Sequence, residues 1–116
     1  MAPMRYYWGH YCLLDEGSNR RLVAFYLKPN SVLDFKTSPQ HTGNKRLVWG
    51  EGIVFVRVGR GGGPVSDLHE SCTVFVPEGS DYRLSSGSGK AVVYMIVTSQ
   101  NDLNSAESFE EYIGTV

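Results

Sequence analysis

Residues 47–58 read LVWGEGIVFVRV and form the longest of the mainly apolar runs in this chain. The run is rich in β-branched and aromatic residues, which favour β-strands. In its second half Ile53 and Phe55 alternate with Val54 and Val56, so both faces of the strand are apolar. A strand with one face in water does not need this pattern. We therefore expect one face in the core and the other against a second copy of the chain, in a homodimer.

Shorter runs of the same kind lie on both sides of this stretch. They recur at intervals of roughly ten residues, which is typical of an all-β sandwich or barrel. Turn-forming sequences such as KPN, SPQHTGN, PEGSD and SSGSGK separate them, and GRGGGP predicts a hairpin turn. The runs are LVAFYL (22–27), VLDF (32–35), CTVFVP (72–77), YRL (82–84) and AVVYMIV (91–97).

Only the end of the chain predicts a helix. Phe109, Tyr112 and Ile113 have the i, i+3, i+4 spacing of one helix face, and Asn104 or Ser105 can cap its first turn. The 116 residues fit a single domain, residues 1–116, which is large enough to bury most of its apolar surface.

The charge and composition exclude several classes of partner. Eleven basic and twelve acidic residues give a net charge of -1, which disfavours nucleic acid and anionic membranes. The start, MAPMRYYWGH, lacks the apolar segment of a signal peptide, and no stretch approaches the ~20 apolar residues of a membrane span. Cys12 and Cys72 are too few for a disulfide framework and are expected to be buried thiols in a reducing compartment. We expect a soluble, cytoplasmic protein.

A series of short motifs runs along nearly the whole chain. They are YWGHY (7–11) followed by LLD (13–15), LKPN (27–30), WG (49–50), VFVPEG (74–79) and SFEEY (108–112). In order and spacing they resemble the cupin superfamily, in particular the small cupin domain at the C-terminal end of bifunctional mannose-6-phosphate isomerase/mannose-1-phosphate guanylyltransferase proteins. The resemblance is strongest at VFVPEG, where that family has IYIPAG. It implies a double-stranded β-helix, the jelly-roll or cupin barrel, with its site at the barrel mouth.

Members of this superfamily typically bind a divalent metal with an HxH pair, a glutamate three residues beyond its second histidine, and a histidine three residues after the glycine of the PxG turn. Carried over position by position, these places hold Ser38, Gln40, Gly43 and Tyr82. A hydroxyl and an amide are weak ligands, glycine has no side chain, and a phenol with a pKa of about 10 must first lose its proton. The resemblance therefore implies a barrel with no metal and no cofactor.

His41 lies next to these positions, in the polar stretch KTSPQHTGNK (36–45). It comes one residue after the second ligand place, so strand alternation turns it away from the interior and predicts a solvent-facing turn. The alternative is a bulge at Pro39, which would shift the strand by one residue and turn His41 inward. His10 and His69 have no partner at the spacing of metal ligands.

In place of a metal shell, the alignment predicts polar side chains around the barrel mouth. These are Lys36, Ser38, Gln40, Lys45 and Tyr82. Lysines supply charge, the amide and hydroxyl supply directed hydrogen bonds, and the tyrosine offers a ring face to a sugar. The set suits a small polar or anionic ligand. The alternative is that these residues only fill a closed barrel mouth.

Three classes of function remain. The absence of every metal ligand favours a non-catalytic module that binds a sugar or sugar-phosphate-like molecule, or that has a structural or interaction role. The second class is a metal-independent enzyme that resembles the sugar-nucleotide epimerases and ketoisomerases of this barrel, with Tyr82 as general acid and only the distant Asp34 as base. The third is retained mannose-6-phosphate isomerase-like activity, or another metal-dependent activity, at a shifted site. Whether the chain is an enzyme stays open, with a binding role favoured.

Overall fold

The computed structural model of the chain describes residues 4–17, 19–36, 43–59 and 64–98. These residues form ten β-strands and no helix, and the predicted C-terminal helix lies outside them. No helix in this part of the chain is long and apolar enough to cross a membrane. The strands are β1 (Met4–Tyr6), β2 (Gly9–Glu16), β3 (Arg20–Leu27), β4 (Val32–Phe35), β5 (Asn44–Glu51), β6 (Val54–Val58), β7 (Val65–Leu68), β8 (Thr73–Val76), β9 (Tyr82–Ser86) and β10 (Ala91–Thr98).

The strands form two antiparallel sheets that enclose one core. The larger sheet has the order β1-β2-β3-β10-β5-β8, and the smaller has the order β4-β9-β6-β7. Side chains alternate along β10 and β9 between buried and partly exposed, as expected when one face of each sheet covers the interior. The predicted all-β, double-stranded β-helix fold is thereby confirmed.

The run that predicted the fold divides into two strands in different sheets. β5 ends at Glu51, and β6 begins at Val54 after a turn at Gly52, whose φ of 80° favours glycine. A Cβ at Gly52 would lie 2.3 Å from the backbone oxygen of Lys90, so a side chain there would collide with the chain entering β10. Gly52 thus allows one apolar run to cover both sides of the core.

Aromatic rings form the centre of the core. The rings of Phe25 and Phe35 have centroids 5.2 Å apart, and those of Phe35 and Tyr82 stack at 4.5 Å. Trp8 is fully buried and packs against Phe25 at 6.0 Å. Aromatic pairs at such distances stabilise a core beyond the area that they bury. They link β3 of the larger sheet to β4 and β9 of the smaller one.

One strand was not predicted from the apolar pattern, and the two cysteines are less buried than expected. β7, of sequence VSDL, pairs with β6 as the predicted hairpin requires, although residues 60–63 of its turn lie outside the described residues. Three of its four residues are exposed, which explains why no apolar pattern predicted this strand. Cys12 and Cys72 are free, as expected, but both are only half-buried, so the prediction of buried thiols was wrong.

The connection between β3 and β4 is held to the end of β9 by Ser86. The backbone N–H of Ser31 donates to Ser86 Oγ at 2.9 Å, and this hydroxyl donates to the backbone oxygen of Lys28 at 2.5 Å. The backbone N–H of Asn30 also donates to the oxygen of Gly87 at 2.7 Å. The buried hydroxyl of Ser86 therefore satisfies two backbone groups of the chain segment that crosses between the sheets.

Replacing Ser86 by alanine should destabilise the fold, because these two backbone groups would lose their partner. The expected loss is about 1–3 kcal/mol of unfolding free energy, measured by urea denaturation. Ser85→Ala is the matched control, since Ser85 is the adjacent serine on the opposite, half-exposed side of β9. Its effect should stay within about 0.5 kcal/mol. Equal stability of the two variants would contradict the anchoring role of Ser86.

Candidate functional site

Two of the predicted site residues meet inside one end of the barrel. Lys45, near the start of β5, lies opposite Val97 and Val76 in the neighbouring strands, and Tyr82 begins β9. Lys45 Nζ lies 5.9 Å from the centroid of the Tyr82 ring, within the range of a cation–π contact. Only 1% of Lys45 and 2% of Tyr82 is exposed. We call this pair, together with the neighbouring Gly43 and Glu78, the barrel end.

The other predicted residues are placed differently or fall outside the described chain. Lys36 is exposed and follows Phe35, which is fully buried, so strand alternation turns Lys36 away from the interior. The prediction that Lys36 faces inward was therefore wrong, and it lies at the rim. Ser38 and Gln40 lie outside the described residues, as does His41. Their part in a site stays a prediction.

The amine of Lys45 is the most unusual group at the barrel end. Nζ is buried and makes no hydrogen bond within the described part of the chain. Burial lowers the pKa of Lys45 from 10.5 to about 8, because an ammonium group loses its hydration in the interior. The nearby carboxylate of Glu78 opposes this shift only in part. Because Glu78 offsets only part of the cost of burying an ammonium group, this position favours either a neutral amine or a further anionic partner.

Glu78 belongs to the barrel end and was not among the predicted site residues. Its Oε1 accepts a hydrogen bond from the backbone N–H of Gly43 at 3.2 Å, and its own N–H donates to Asn44 Oδ1 at 2.9 Å. These bonds connect the turn after β8 to the start of β5, where Lys45 follows. The carboxylate in the sequence PEG, four residues before Tyr82, was the available signal.

Tyr82 supplies an aromatic ring to the barrel end, and its buried hydroxyl is a poor acid. Its hydroxyl donates to Met95 Sδ at 3.4 Å, and burial raises the pKa of the phenol well above 10. Asp34, the distant base considered above, accepts hydrogen bonds from Arg83 Nε at 2.5 Å and Nη2 at 3.1 Å on the half-exposed face of the smaller sheet. This bond to Asp34 raises the pKa of Arg83. Asp34 and Tyr82 therefore do not form an acid–base pair.

Gly43, the position to which the sequence resemblance assigned the metal-binding glutamate, has no room for a side chain. Gly43 is buried with a φ of 103°, and a Cβ there would lie 2.8 Å from the oxygen of Thr98 and 3.0 Å from Val97 Cγ1. Within the described ranges, no three His, Cys, Asp or Glu side chains lie close enough to hold a metal ion. His69 hydrogen-bonds through Nδ1 to Ser71 Oγ at 2.7 Å in an exposed turn.

A cavity of about 260 Å³ lies on the outer face of the larger sheet, over β5, β8 and β10. Its size suits a molecule of a few heavy atoms up to a small sugar, which is at or below the lower range of ligand pockets. Arg46, on its wall, lies over the Phe75 ring at 5.8 Å. Both side chains are exposed on the face opposite to the buried Lys45 side chain, so this cavity does not supply a second cation to the barrel end. The lining residues are Asn44, Lys45, Arg46, Phe75, Ile96 and Thr98.

Comparison with solved structures places this fold among cupin domains. The chain is similar to a cupin-2 domain protein, Rru_A2000, from Rhodospirillum rubrum (TM-score 0.65, 18% identity), of which it covers 61% with 80% of its own length. It is similar to an RmlC-like cupin from Desulfovibrio desulfuricans (TM-score 0.64, 18% identity), with 76% of this chain covering 79% of that one.

It is also similar to the Cnp3 cupin domain from Schizosaccharomyces pombe (TM-score 0.63, 13% identity), with 78% of this chain covering 64% of that one. At these identities the likeness concerns the fold alone. No protein-family model matches the sequence, and no curated protein matches it. The chain spans about three fifths of the Rhodospirillum protein, so that protein's activity does not transfer to it.

Lys45 makes the stability of this fold depend on pH in a specific direction. Its pKa is about 8 in the folded chain and 10.5 as the ordinary value, so the unfolded chain binds more protons between these pH values. The cost of burying the ammonium is therefore complete below pH 8 and disappears as the pH rises to 10.5. A shift of this size corresponds to about 3 kcal/mol.

Lys45→Met should stabilise the protein at pH 7, by about 1–3 kcal/mol, since it removes the buried charge and keeps most of the volume. The gain should become smaller between pH 8 and pH 10, measured by urea denaturation at several pH values. Lys36→Met is the control, because Lys36 is exposed and its loss should give no such pH dependence. A Lys45→Met protein less stable than the unmodified chain at pH 7 would contradict the account.

Proposed function

We propose that this cupin-fold chain binds a small sugar or sugar-phosphate-like molecule at the barrel end, without a metal and without catalysing a reaction. The observation that carries the proposal is the Lys45 amine, which is buried and has no hydrogen-bond partner in the described residues. A phosphate or hydroxyl group would offer this amine the acceptor that it lacks. Binding would then recover part of the free energy that burial of the ammonium costs.

The surroundings of Lys45 support a sugar derivative. The Tyr82 ring, 5.9 Å from Nζ, offers a flat apolar face of the kind on which sugar rings pack. Glu78 can accept a hydrogen bond from a ligand hydroxyl beside the amine, since its charge already acts on Lys45. Because Nζ is enclosed, a ligand reaches it only when the side chains at the barrel end move apart.

We propose binding without a metal because of the residues at the four positions where the resemblance places metal ligands. Gly43 and Tyr82 occupy two of the four places, and neither offers a group that binds a divalent metal readily. The positions of Ser38 and Gln40 carry only neutral oxygen ligands in the sequence. Binding that needs no metal is therefore the expected behaviour.

One observation favours the second candidate, a metal-independent isomerase or epimerase. An amine with a pKa of about 8 can take up or release a proton near neutral pH, which general acid–base catalysis requires. Two observations oppose this candidate. The pKa of Tyr82 is too high for a general acid, and Asp34 is paired with Arg83, so neither residue can act with Lys45 as the second acid or base. Turnover of nucleotide sugars or sugar phosphates would establish this candidate in place of simple binding.

The binding proposal predicts that Lys45 dominates ligand affinity. Saturation-transfer NMR of EDTA-treated protein, against sugar phosphates and nucleotide sugars, should identify a ligand without added metal. Lys45→Met should weaken it by about ten- to a hundredfold, the effect of losing a charged hydrogen bond. Tyr82→Phe keeps the ring face and removes only a hydroxyl that is bonded to Met95, so it should change affinity by no more than about twofold. Lys36→Met, at the rim, should change affinity by no more than about fivefold.

Three outcomes would contradict the proposal in different ways. No saturation transfer from any sugar derivative would mean that the polar residues only fill a closed barrel end. Binding that is indifferent to Lys45 would move the site elsewhere. Binding that appears only when a divalent metal is restored would show that a metal takes part.

The structure supports a proposal of a homodimer through the smaller sheet. Val54 and Val56 lie in the core, whereas Ile53 is 58% exposed and Phe55 is half-buried on the outer side. Val65, which is 60% exposed on the paired strand β7, lies diagonally across from Phe55 and adds a third exposed apolar side chain to this sheet. Such a cluster is typical of a surface that another chain covers.

Phe55→Asp should shift a dimer to monomer in sedimentation velocity at micromolar concentration, because a carboxylate would be buried in the interface. Leu14→Asp is the matched control, since Leu14 is 49% exposed and lies on β2 of the other sheet. It should leave the oligomeric state unchanged. A monomer in the unmodified protein, or a dimer that survives Phe55→Asp, would refute this arrangement.

A further inference from the structure

A second cavity, of about 450 Å³, lies at the opposite end of the larger sheet from Lys45. Strand pairing places His10 opposite Tyr26, Tyr26 opposite Val92, and Val92 opposite Glu51, so these residues form one row across β2, β3, β10 and β5. The row lies on the outer face, because its neighbours Leu27 and Ala91 are buried in the core. We call this row, together with Lys28 and Lys90, the outer groove.

Two aromatic side chains form part of the outer groove. The rings of His10 and Tyr26 stack with centroids 4.7 Å apart and an interplanar angle of 16°. Both side chains are half-buried, as is Val92 beside them. Stacking on His10 holds the Tyr26 ring in one orientation, so the side of this ring away from His10, where Val92 lies, is preformed for a planar ligand.

The rim of the outer groove carries two lysines at opposite positions. Leu27 pairs with Ala91, and continuing this register by one residue places Lys28 opposite Lys90. Both lysines are exposed and line the cavity. Within the described ranges neither forms an ion pair, and the same is true of Glu51. Like charges on opposite residues of paired strands repel, and an anion between them would relieve this repulsion.

We infer that the outer groove is a second binding site, separate from the barrel end, for a small aromatic anion. Its ring would pack on Tyr26 and Val92, and its carboxylate or phosphate would lie between Lys28 and Lys90. Glu51, at the β5 end of the row, repels the anionic group and thereby orients the ligand. The two requirements, a flat ring and a negative charge, can be tested independently.

The test is an NMR titration of the ¹⁵N-labelled protein with 2-naphthoate and, separately, with its neutral analogue 2-naphthamide. The acid should shift the amide signals of His10, Tyr26 and Val92, and the amide analogue should bind several-fold more weakly. Added salt should weaken only the acid, because screening acts on the charge. Equal affinity for the two compounds, or shifts centred on Lys45 and Tyr82, would overturn the inference.

Variants locate the two contributions. Lys28→Met and Lys90→Met should each weaken 2-naphthoate by about two- to fivefold, the range of an exposed ion pair, and leave 2-naphthamide unchanged. Glu51→Gln should strengthen binding of the acid. Tyr26→Leu should weaken both compounds, and Lys36→Met, at the far end of the barrel, should affect neither. Lysine variants that behave like Lys36→Met, or no binding at millimolar concentration, would refute the site.

Discussion

The structure depends on one constraint, which is that a side chain facing the interior between the two sheets loses its contact with water. The core residues meet this condition with apolar atoms, from the Phe25–Phe35–Tyr82 rings to Leu47, Val56 and Val97. Lys45 does not meet it, although it occupies an inward position on a central strand. The cost appears as a pKa lowered to about 8. A fold optimised for stability alone would place an apolar residue there, and this cost is the observation on which the proposed binding role rests.

Gly43 and Tyr82, two positions to which the sequence resemblance assigns metal ligands, lie at the barrel end. At Gly43 the backbone itself closes the space, because Thr98 and Val97 lie where a Cβ would be. Glu78 bonds to the backbone of Gly43, and Tyr82 extends a core aromatic cluster to within 5.9 Å of the Lys45 amine. In the described residues the barrel end therefore places one amine beside an aromatic ring, and this is the arrangement on which the binding proposal rests.

Several features were predictable because they depend on local pattern. VLDF, YRL and AVVYMIV became β4, β9 and β10. Lys45 and Tyr82 lie close together inside the barrel, and their part in a binding site stays a prediction. Lys36 was assigned to the interior because the register of the polar stretch could not be checked, and burial of Phe35 now fixes it as outward. β7 and the groove of His10 and Tyr26 were missed, since they arise from cross-strand register, which pairs residues far apart in sequence.

The most direct test of the central claim is a measurement of the pKa of the Lys45 amine. The ¹³Cε and ¹Hε signals of Lys45 would be followed in a pH titration, and the Lys45→Met variant would identify them by their loss. The account predicts a value of about 8 in the free protein. It also predicts a rise when an anionic sugar derivative binds, because the anion stabilises the ammonium form. A pKa near the ordinary value of 10.5, unchanged by any ligand, would show that the amine is already satisfied, and would contradict the account.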